Sequence, residues 1–398
     1  MTDTLRQGVL ALIHSAVSGE AKTLPEGFDL EAAVPIVHAH KVGNLVYYGA
    51  VNCGIDPHSV VMQKLFTVTY KCMLVDEQQR REIEKLAAAF EHAGIDYLPL
   101  KGVMLKNLYP KTDMRIMGDA DIMIRYEQYE KIKAVVEELG YTFKVETDHE
   151  LVWDNSKLHL ELHKRLVPAY NKDFASYYGD CWRLARTVSA ATCEYEMSDE
   201  DHMIFLLTHF AKHYRNGGIG VRHVLDLYIY RNAKPNLDHQ YIICELKKLK
   251  LDVFYEHILA TISAWFEGGD HTESTRMISQ HIFDGGAYGS SVGRSMADAI
   301  RDKAESGKTA RQLKRERWWH AIFLPYDSMC IKYRWLKKCP VFLPLMWVVR
   351  WIDILFRSPN RVRAQSKKFA LVEDTALDTY ESQMQAVGLG FHFEENDQ

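Results

Sequence analysis

The chain has 398 residues, of which 47% are hydrophobic and 26% charged, and its formal net charge is −4. This composition is typical of a globular protein and excludes bulk disorder. A weakly acidic chain is also a poor candidate for coating nucleic acid, which requires a basic surface. Its apolar stretches stay below the roughly 18 residues that a membrane span requires. The seven cysteines form no CxxC pair and no zinc-type spacing, so we expect reduced thiols and a cytoplasmic protein.

The predicted elements change period along the chain. Residues 1–75 are predicted to form an N-terminal helical region, and the helical pattern continues through REIEKLAAAFEHAG to a terminal glycine. The next part contains a short apolar run, IDYLPL, a brief helix in VMLKNLYP, a strand in DADIMI and a helix in YEQYEKIKAVVEELG. Three further strands are predicted in YTFKVE, ELVW and KLHLELHKRL. Residues 76–197 are therefore predicted to form an α/β domain with a mixed sheet.

Helical patterns return in residues 198–284, which we expect to be a helical domain that lines the substrate cleft. The Gly/Ser-rich stretch GGAYGSSVGRS (285–295) is predicted to be a loop or linker. It opens a basic, aromatic helical segment, residues 285–370, and an acidic tail, residues 371–398, which we expect to be loose. The predicted fold class is α+β, with a mixed sheet flanked by helices and helical regions at both ends.

Asp119 and Asp121 lie one residue apart at the start of DADIMI. Their side chains project from one face of the strand, while Ala120 and Ile122 pack behind them. Two like charges near a core are costly unless a cation compensates them, and carboxylate oxygens suit Mg²⁺. Glu161 lies on the polar face of KLHLELHKRL and becomes a third carboxylate if the two strands are neighbours. Enzymes that catalyse displacement at a nucleotide α-phosphate usually hold two metal ions with three carboxylates.

Each part of this pattern has a second interpretation. A DxD pair at a strand end is more often a solvated turn than a catalytic site. His159 and His163, which flank Glu161, could be surface residues of an edge strand or ligands of a small metal site.

Other residues of this region are candidates for binding phosphate. At the Lys101-Gly102 turn, glycine would let the backbone approach a phosphate and the helix would offer amide donors. Arg115 could add a bidentate phosphate contact.

The order of these motifs resembles the polymerase-β-like nucleotidyltransferase superfamily, and within it the bacterial group of uncharacterised nucleotidyltransferases. The resemblance covers residues 80–235 and is carried by LPLKGVMLKNLYP, RIMGDADIMIR, YEKIKAVVEELGYTF, LHLELHKRL and HFAKHYRNGGIGVRHVLDLYIY. It implies a nucleoside triphosphate as donor and two Mg²⁺ ions held by Asp119, Asp121 and Glu161. Glu161 would also help to activate the attacking hydroxyl.

This chain departs from the superfamily pattern at one turn. Val103 follows Gly102 where the superfamily has a Gly-Ser turn, so no serine hydroxyl is available to bind the triphosphate. We expect Lys101 to take over that function.

In the helical region, His209 and His213 lie four residues apart on one face, and so do Arg222 and Asp226. One interpretation is an amphipathic helix with an internal salt bridge. The other is that His213 and Arg222 line the cleft opposite the carboxylates and bind substrate phosphate or the acceptor. A different enzyme class, a histidine-rich metal hydrolase, would use His202, His209, His213 and Asp226.

The basic segment concentrates charge and tryptophan. Residues 308–368 contain 15 Lys or Arg against three acids, and residues 316–368 hold five of the eight tryptophans. Tryptophan and basic residues around a short apolar stretch suit a helix in the interface of an anionic membrane, which would place the protein peripherally at the inner membrane face. The alternatives are a hairpin packed on the main body and, less favoured without dedicated motifs, a groove for a nucleic-acid strand.

The sequence therefore predicts an enzyme that transfers a nucleoside monophosphate from a nucleoside triphosphate to an unidentified acceptor. A small molecule or a protein side chain is favoured over nucleic acid as the acceptor, because the body of the chain is acidic. Two alternatives stay open. One is a non-catalytic NTP-binding or scaffold protein of the same fold, favoured by the missing serine. The other is a phosphotransferase that moves the γ-phosphate.

Overall fold

A computed structural model describes residues 2–306, 322–337, 339–357 and 374–391, together with 312, 315, 319 and 320. The chain divides into two compact units. The first consists of residues 1–214, 218–289 and 387–398, and the second of residues 215–217 and 290–386. Among the described helices, none is both long and apolar enough to cross a membrane.

The first unit begins with four helices, in the part of the chain where the sequence predicts a helical region without giving the number of helices. The longest of them, α4, ends at Gly94, whose φ of 61° lies in the left-handed region that closes a helix. The four helices are α1 (Asp3–Ser18), α2 (Leu30–His40), α3 (Gly43–Asn52) and α4 (Val60–Ala93).

A five-stranded sheet follows, with the strand order β1-β2-β5-β4-β3. Strands β2 and β5 are adjacent and parallel, and the other pairs are antiparallel, so the sheet is mixed. The strands are β1 (Tyr97–Pro99), β2 (Ala120–Ile124), β3 (Thr142–Glu146), β4 (Glu150–Asp154) and β5 (His159–His163). Two helices lie between them in the chain, α5 (Lys101–Leu105) and α6 (Tyr129–Glu138).

One face of the sheet forms the core of this domain. Ile122 and Ile124 of β2, with Leu160 and Leu162 of β5, are buried in one cluster with residues of α4 and α6. The alternation predicted in KLHLELHKRL is therefore present, because side chains two residues apart share a face. The remaining face carries the intervening polar residues. The predicted α+β class, a mixed sheet flanked by helices, is confirmed.

Mostly helical structure completes the first unit. A short hairpin, β6 (Ala185–Thr187) and β7 (Tyr195–Met197), joins the sheet domain to the helices. The helices are α7 (Lys172–Tyr178), α8 (Asp199–Arg215, of which the last residue belongs to the second unit), α9 (Val221–Ala233), α10 (His239–Lys248), α11 (Asp252–Ile262) and α12 (Glu273–Gly285).

The second unit contains α13 (Ser291–Ser306), α14 (Tyr326–Lys332), α15 (Leu343–Arg357) and α16 (Asp374–Ala386). A small cluster of Met329, Cys330, Leu336 and Met346 forms a local core around α14 and α15. The membrane prediction for residues 316–368 lies partly outside the described residues, which in this stretch are 319, 320, 322–337 and 339–357.

Two predictions for the C-terminal part differ from the structure. The stretch 285–295, expected to be a loop, contains the start of α13, because the Ser290 hydroxyl accepts the backbone N–H groups of Val292 and Gly293 and begins the helix. The tail from 371, expected to be loose, contains α16. Leu377, Tyr380 and Met384 recur at helical spacing in α16 and are buried. The acidic composition of the tail obscured this apolar face.

We predict that Leu160→Ala lowers the free energy of unfolding by about 3 kcal/mol, because it leaves a cavity at the centre of the sheet. The matched change Val145→Ala, on an exposed position of β3, should cost less than about 1 kcal/mol. Urea unfolding followed by circular dichroism measures both values. Equal losses for the two variants would contradict this assignment of the core.

Candidate active site

Asp121 and Glu161 lie directly opposite each other. The register of the parallel pair β2–β5 matches Asp121 with Glu161, so their side chains share the polar face of the sheet. Carboxylate oxygens of both residues and a ring nitrogen of His163 lie within 4.8 Å of one another. The sequence predicted the meeting of the two acids on condition that the strands were neighbours, and they are.

Asp121 is buried and is held by two nitrogen donors. Lys101 Nζ lies 2.8 Å from Asp121 Oδ1, and His163 Nε2 lies 2.7 Å from the same oxygen. Burial alone would favour the neutral acid, but the charge of Lys101 and the hydrogen bond from His163 outweigh it and lower the pKa of Asp121. Asp121 is therefore a carboxylate, and His163 must donate from Nε2.

His163 is a site residue that the sequence analysis left unassigned. Burial lowers the pKa of His163, with its Asp121 hydrogen bond opposing that effect, so the imidazole is neutral and fixed in one tautomer. Such a hydrogen bond fixes the orientation of the Asp121 carboxylate. The signal in the sequence was the alternation of β5, which places His163 on the same face as Glu161.

The remaining acids of the cluster are pushed toward the protonated form. Burial, together with the negative charges of Asp121, Asp119 and Glu150, raises the pKa of Glu161 to about 8. Burial and the charge of Asp121 likewise raise the pKa of Asp119. These opposing shifts show an excess of negative charge on one face of the sheet. A cation bound there would relieve it.

Two further side chains border Glu161. His159 Nε2 lies 3.7 Å from Glu161 Oε1. Glu150 of β4 pairs in register with His163, and its charge contributes to the raised pKa of Glu161. Glu150 was not among the predicted site residues, because its strand carries no alternation that would distinguish this face.

Lys101 occupies a strained backbone position. Its φ of 41° lies in the left-handed region, which a lysine rarely adopts. Burial opposes its ionisation, but the carboxylates of Asp121, Asp119 and Glu161 outweigh burial and raise the pKa of Lys101. A charged, strained lysine in contact with the central carboxylate is a typical feature of a functional site.

The neighbouring Gly102 is needed for packing. It is buried, and a Cβ atom at this position would lie 3.2 Å from Met117 Cγ and 3.3 Å from Met117 Sδ. Any larger residue would push Met117 away from the turn. The structure thus places a methionine side chain against the glycine that the sequence analysis assigned to phosphate binding.

Arg115 is engaged in a buried ion pair. Its Nε donates to both carboxylate oxygens of Asp226, at 2.8 and 3.1 Å, and Tyr109 Oη donates to Asp226 Oδ1 at 2.7 Å. This network joins the loop before Asp119 to α9. The structure therefore gives Arg115 a partner within the chain, where the sequence analysis expected a phosphate.

Arg222 also contacts that loop. Its Nη1 donates to the carbonyl oxygen of Ile116 at 2.9 Å, and its Nη2 donates to the carbonyl oxygen of Lys41 at 2.6 Å. The internal salt bridge with Asp226, one of the two interpretations of the helix pattern, is replaced by the Arg115 pair. Arg222 thereby ties α9 to the segment that leads to Asp119.

Histidines of the helical region cluster beside Lys101. His209 and His213 approach to 3.0 Å between their Nε2 atoms, and the His209 ring stacks on His223 with centroids 6.0 Å apart. His209, His223 and Lys101 line a cavity of about 30 Å³. Burial and the charge of Lys101 hold the pKa of His209 well below its ordinary value, so the His209 imidazole is neutral at physiological pH.

Lys212, between these histidines on α8, is a second residue that the sequence analysis missed. Burial and repulsion from Lys101 lower its pKa to about 8, while Asp121, Glu150 and Glu161 attract its charge. Lys212 thus interacts electrostatically with the carboxylates of Asp121, Glu150 and Glu161. Nothing in the sequence distinguished it from an ordinary surface lysine of an amphipathic helix.

The hydrolase alternative does not match the geometry. His202 packs edge-on against Tyr230, with ring centroids 5.1 Å apart, and Asp226 is paired with Arg115. Within the described part of the chain, the one group of three residues with metal-ligand spacing is Asp121, Glu161 and His163.

The family of the chain is given by the sequence around this site. The family described as uncharacterised nucleotidyltransferase matches residues 26–267, which is more than half of the chain. The chain belongs to this nucleotidyltransferase family. The resemblance inferred from the motifs is thereby confirmed, and nucleotidyl transfer is supported as the class of activity.

A solved structure, that of the antibiotic-resistance factor ANT(2'')-Ia, matches at 15% identity with a TM-score of 0.31. The match covers 48% of this chain and 99% of that chain. This TM-score is too low for the match to support a conclusion about the chain. None of the curated proteins compared with the chain matches it.

We predict that Glu161→Gln stabilises the metal-free protein at high pH. The folded-state pKa of Glu161 is raised from 4.5 to about 8, so its contribution to stability is complete below pH 4.5 and is lost as the pH rises toward 8. In thermal unfolding with EDTA, the melting temperature of the variant should therefore rise relative to that of the natural protein between pH 5 and pH 8.5, by about 5 °C. The exposed change Glu127→Gln is the control, and a gain of equal size in that variant would contradict the assignment to Glu161.

We predict that Asp226→Asn destabilises the protein by about 3 kcal/mol, because it leaves the buried guanidinium of Arg115 without a counter-charge. Glu77→Gln, which breaks an exposed pair with Arg80 and Arg81, is the matched control and should change stability little. Urea unfolding compares the two. Equal effects would show that the Arg115–Asp226 pair does not hold the loop to α9.

Proposed function

We propose that the protein is a Mg²⁺-dependent nucleotidyltransferase that moves a nucleoside monophosphate from a nucleoside triphosphate to a small molecule or a protein side chain. The observation that carries this proposal is the pairing of Asp121 with Glu161 across adjacent parallel strands, with Lys101 in contact. Family membership supports the class of reaction.

The residues that would hold two Mg²⁺ ions are Asp119, Asp121 and Glu161. Their oxygens are the hard ligands that Mg²⁺ prefers, and the raised pKa values of Asp119 and Glu161 reflect a charge imbalance that a divalent cation corrects. When bound, the ions supply positive charge that stabilises the attacking and leaving oxygens of an in-line displacement.

We assign the binding of the triphosphate to Lys101, Lys212 and His213. Lys101 and Lys212 bring positive charge to the carboxylate face from two separate elements, and this supports a role in place of the missing serine hydroxyl. We assign Arg115 and Arg222 to positioning, since both hold the loop before Asp119.

In the proposed reaction, the acceptor oxygen forms a bond to the α-phosphorus while the bond from that phosphorus to the bridging oxygen breaks. Pyrophosphate leaves. We assign to Glu161 the acceptance of the proton of the acceptor hydroxyl, in the ionised form that bound cations would favour. His163 keeps Asp121 oriented and ionised throughout.

We place this enzyme in the cytoplasm. All seven cysteines are free thiols, as expected for a reducing compartment. The acidic body of the chain supports an acceptor other than a polynucleotide, because a polyanion would be repelled.

Incubation with α-labelled and γ-labelled triphosphates, Mg²⁺ and a panel of hydroxyl acceptors tests this function. We predict transfer of the α-label, and a loss of at least about a thousandfold in Asp121→Asn, because the central carboxylate is removed. Asp56→Asn, at an exposed turn, should retain full activity.

Two other outcomes would contradict the proposed function. Transfer of the γ-label would identify a phosphotransferase. Triphosphate binding without transfer to any acceptor would favour the non-catalytic alternative, which the replacement of the turn serine by the buried Val103 supports.

A further inference from the structure

Helix α15 in the second unit has an apolar face that points outward. Leu345, Val348, Val349 and Ile352 follow the spacing of a single helical face, and all four are exposed, between 42% and 56%. We call these four residues the outer face. The preceding turn extends it through Val341, which is 81% exposed. A helix of a water-soluble protein ordinarily buries such a face.

The opposite side of α15 is the side that packs. Met346 is buried in the local core. Trp347 Nε1 donates to the carbonyl oxygen of Leu324 at 2.9 Å, and Trp351 Nε1 donates to the carbonyl oxygen of Ile322 at 2.8 Å. These contacts set the rotation of the helix about its axis. The contacts on the packed side therefore keep the aliphatic outer face on the exposed side of the helix.

The sequence around α15 is strongly basic. Residues 308–368 contain 15 Lys or Arg and three acids, whereas the whole chain contains 49 Lys or Arg and 53 acids. An apolar surface embedded in a basic segment is complementary to an anionic lipid surface, in which acyl chains lie beneath negative head groups.

We propose that the outer face of α15 inserts into the interface of an anionic lipid bilayer and recruits the protein to that membrane. The helix would lie parallel to the membrane plane. Its 15 residues span about 22 Å, less than the roughly 30 Å of a hydrocarbon core, and Arg350 and Asp353 interrupt it. None of the residues of the outer face belongs to the candidate active site.

Other occupants fit the outer face less well. A second copy would bring two strongly basic segments together, and like charges repel. A nucleic-acid strand needs aromatic rings for stacking or polar groups for hydrogen bonds, and the outer face offers aliphatic side chains.

Sedimentation of the full chain with vesicles tests the proposal. The vesicles contain equal parts of phosphatidylglycerol and phosphatidylcholine, or phosphatidylcholine alone, and nucleotide is omitted so that the result is independent of catalysis. We expect binding to anionic vesicles to exceed binding to neutral vesicles by at least about tenfold and to fall as the salt concentration rises. No binding to anionic vesicles at low salt would overturn the proposal.

A pair of matched double variants tests the position of the surface. Leu345→Gln with Val349→Gln should reduce vesicle binding by about tenfold or more, because it removes apolar area from the outer face. Leu74→Gln with Val75→Gln removes the same residue types at similarly exposed positions of α4 and should leave binding unchanged. Circular dichroism verifies that both variants fold.

Three results of these experiments would contradict membrane binding by the outer face. Equal vesicle binding by both double variants would show that another surface docks. A dimer in light scattering that only Leu345→Gln with Val349→Gln abolishes would assign the outer face to a second copy. Retention of single-stranded RNA that depends on the same residues would assign it to nucleic acid.

Discussion

The register between β2 and β5 is the constraint on which the site depends. It places Asp121 opposite Glu161 on the face of the sheet that does not form the core. Two carboxylates that lie opposite each other on adjacent strands, in a partly buried place, cannot both be ionised at a low cost in free energy. The charge of Lys101 and the hydrogen bond from His163 outweigh burial and keep Asp121 ionised, while burial and the neighbouring carboxylates raise the pKa of Glu161.

Positive charges around the cluster serve two different purposes. Lys101 and Lys212 interact electrostatically with the acids. Arg115 and Arg222 hold the backbone between β1 and β2 against α9. Guanidinium groups suit the second purpose because their several donors fix direction, whereas an ammonium group acts as a point charge. Asp226 therefore has a structural function, because its ion pair with Arg115 helps to hold this backbone against α9.

The two units treat their apolar surface differently. In the first unit, the apolar residues of β2 and β5 meet helices and form a continuous core. In the second unit, α15 packs through its tryptophans and leaves aliphatic residues outside. The two units therefore differ in what their apolar faces contact. An apolar face that is exposed to water has a cost in free energy.

The sequence by itself determined the strands of the sheet and the buried faces of β2 and β5. Alternation in KLHLELHKRL and the spacing of Asp119 and Asp121 report which side of a strand is buried, because side-chain direction is a local property of the backbone. Tertiary structure decided which residues meet. The contacts of Asp121 with His163 and of Arg115 with Asp226 join segments 42 and 111 residues apart, and local periodicity holds no information about such distances. For the same reason, the interaction of Lys212 with the acids became visible only in the folded chain. The apolar face of α16 is a local pattern, which the acidic composition of its stretch obscured.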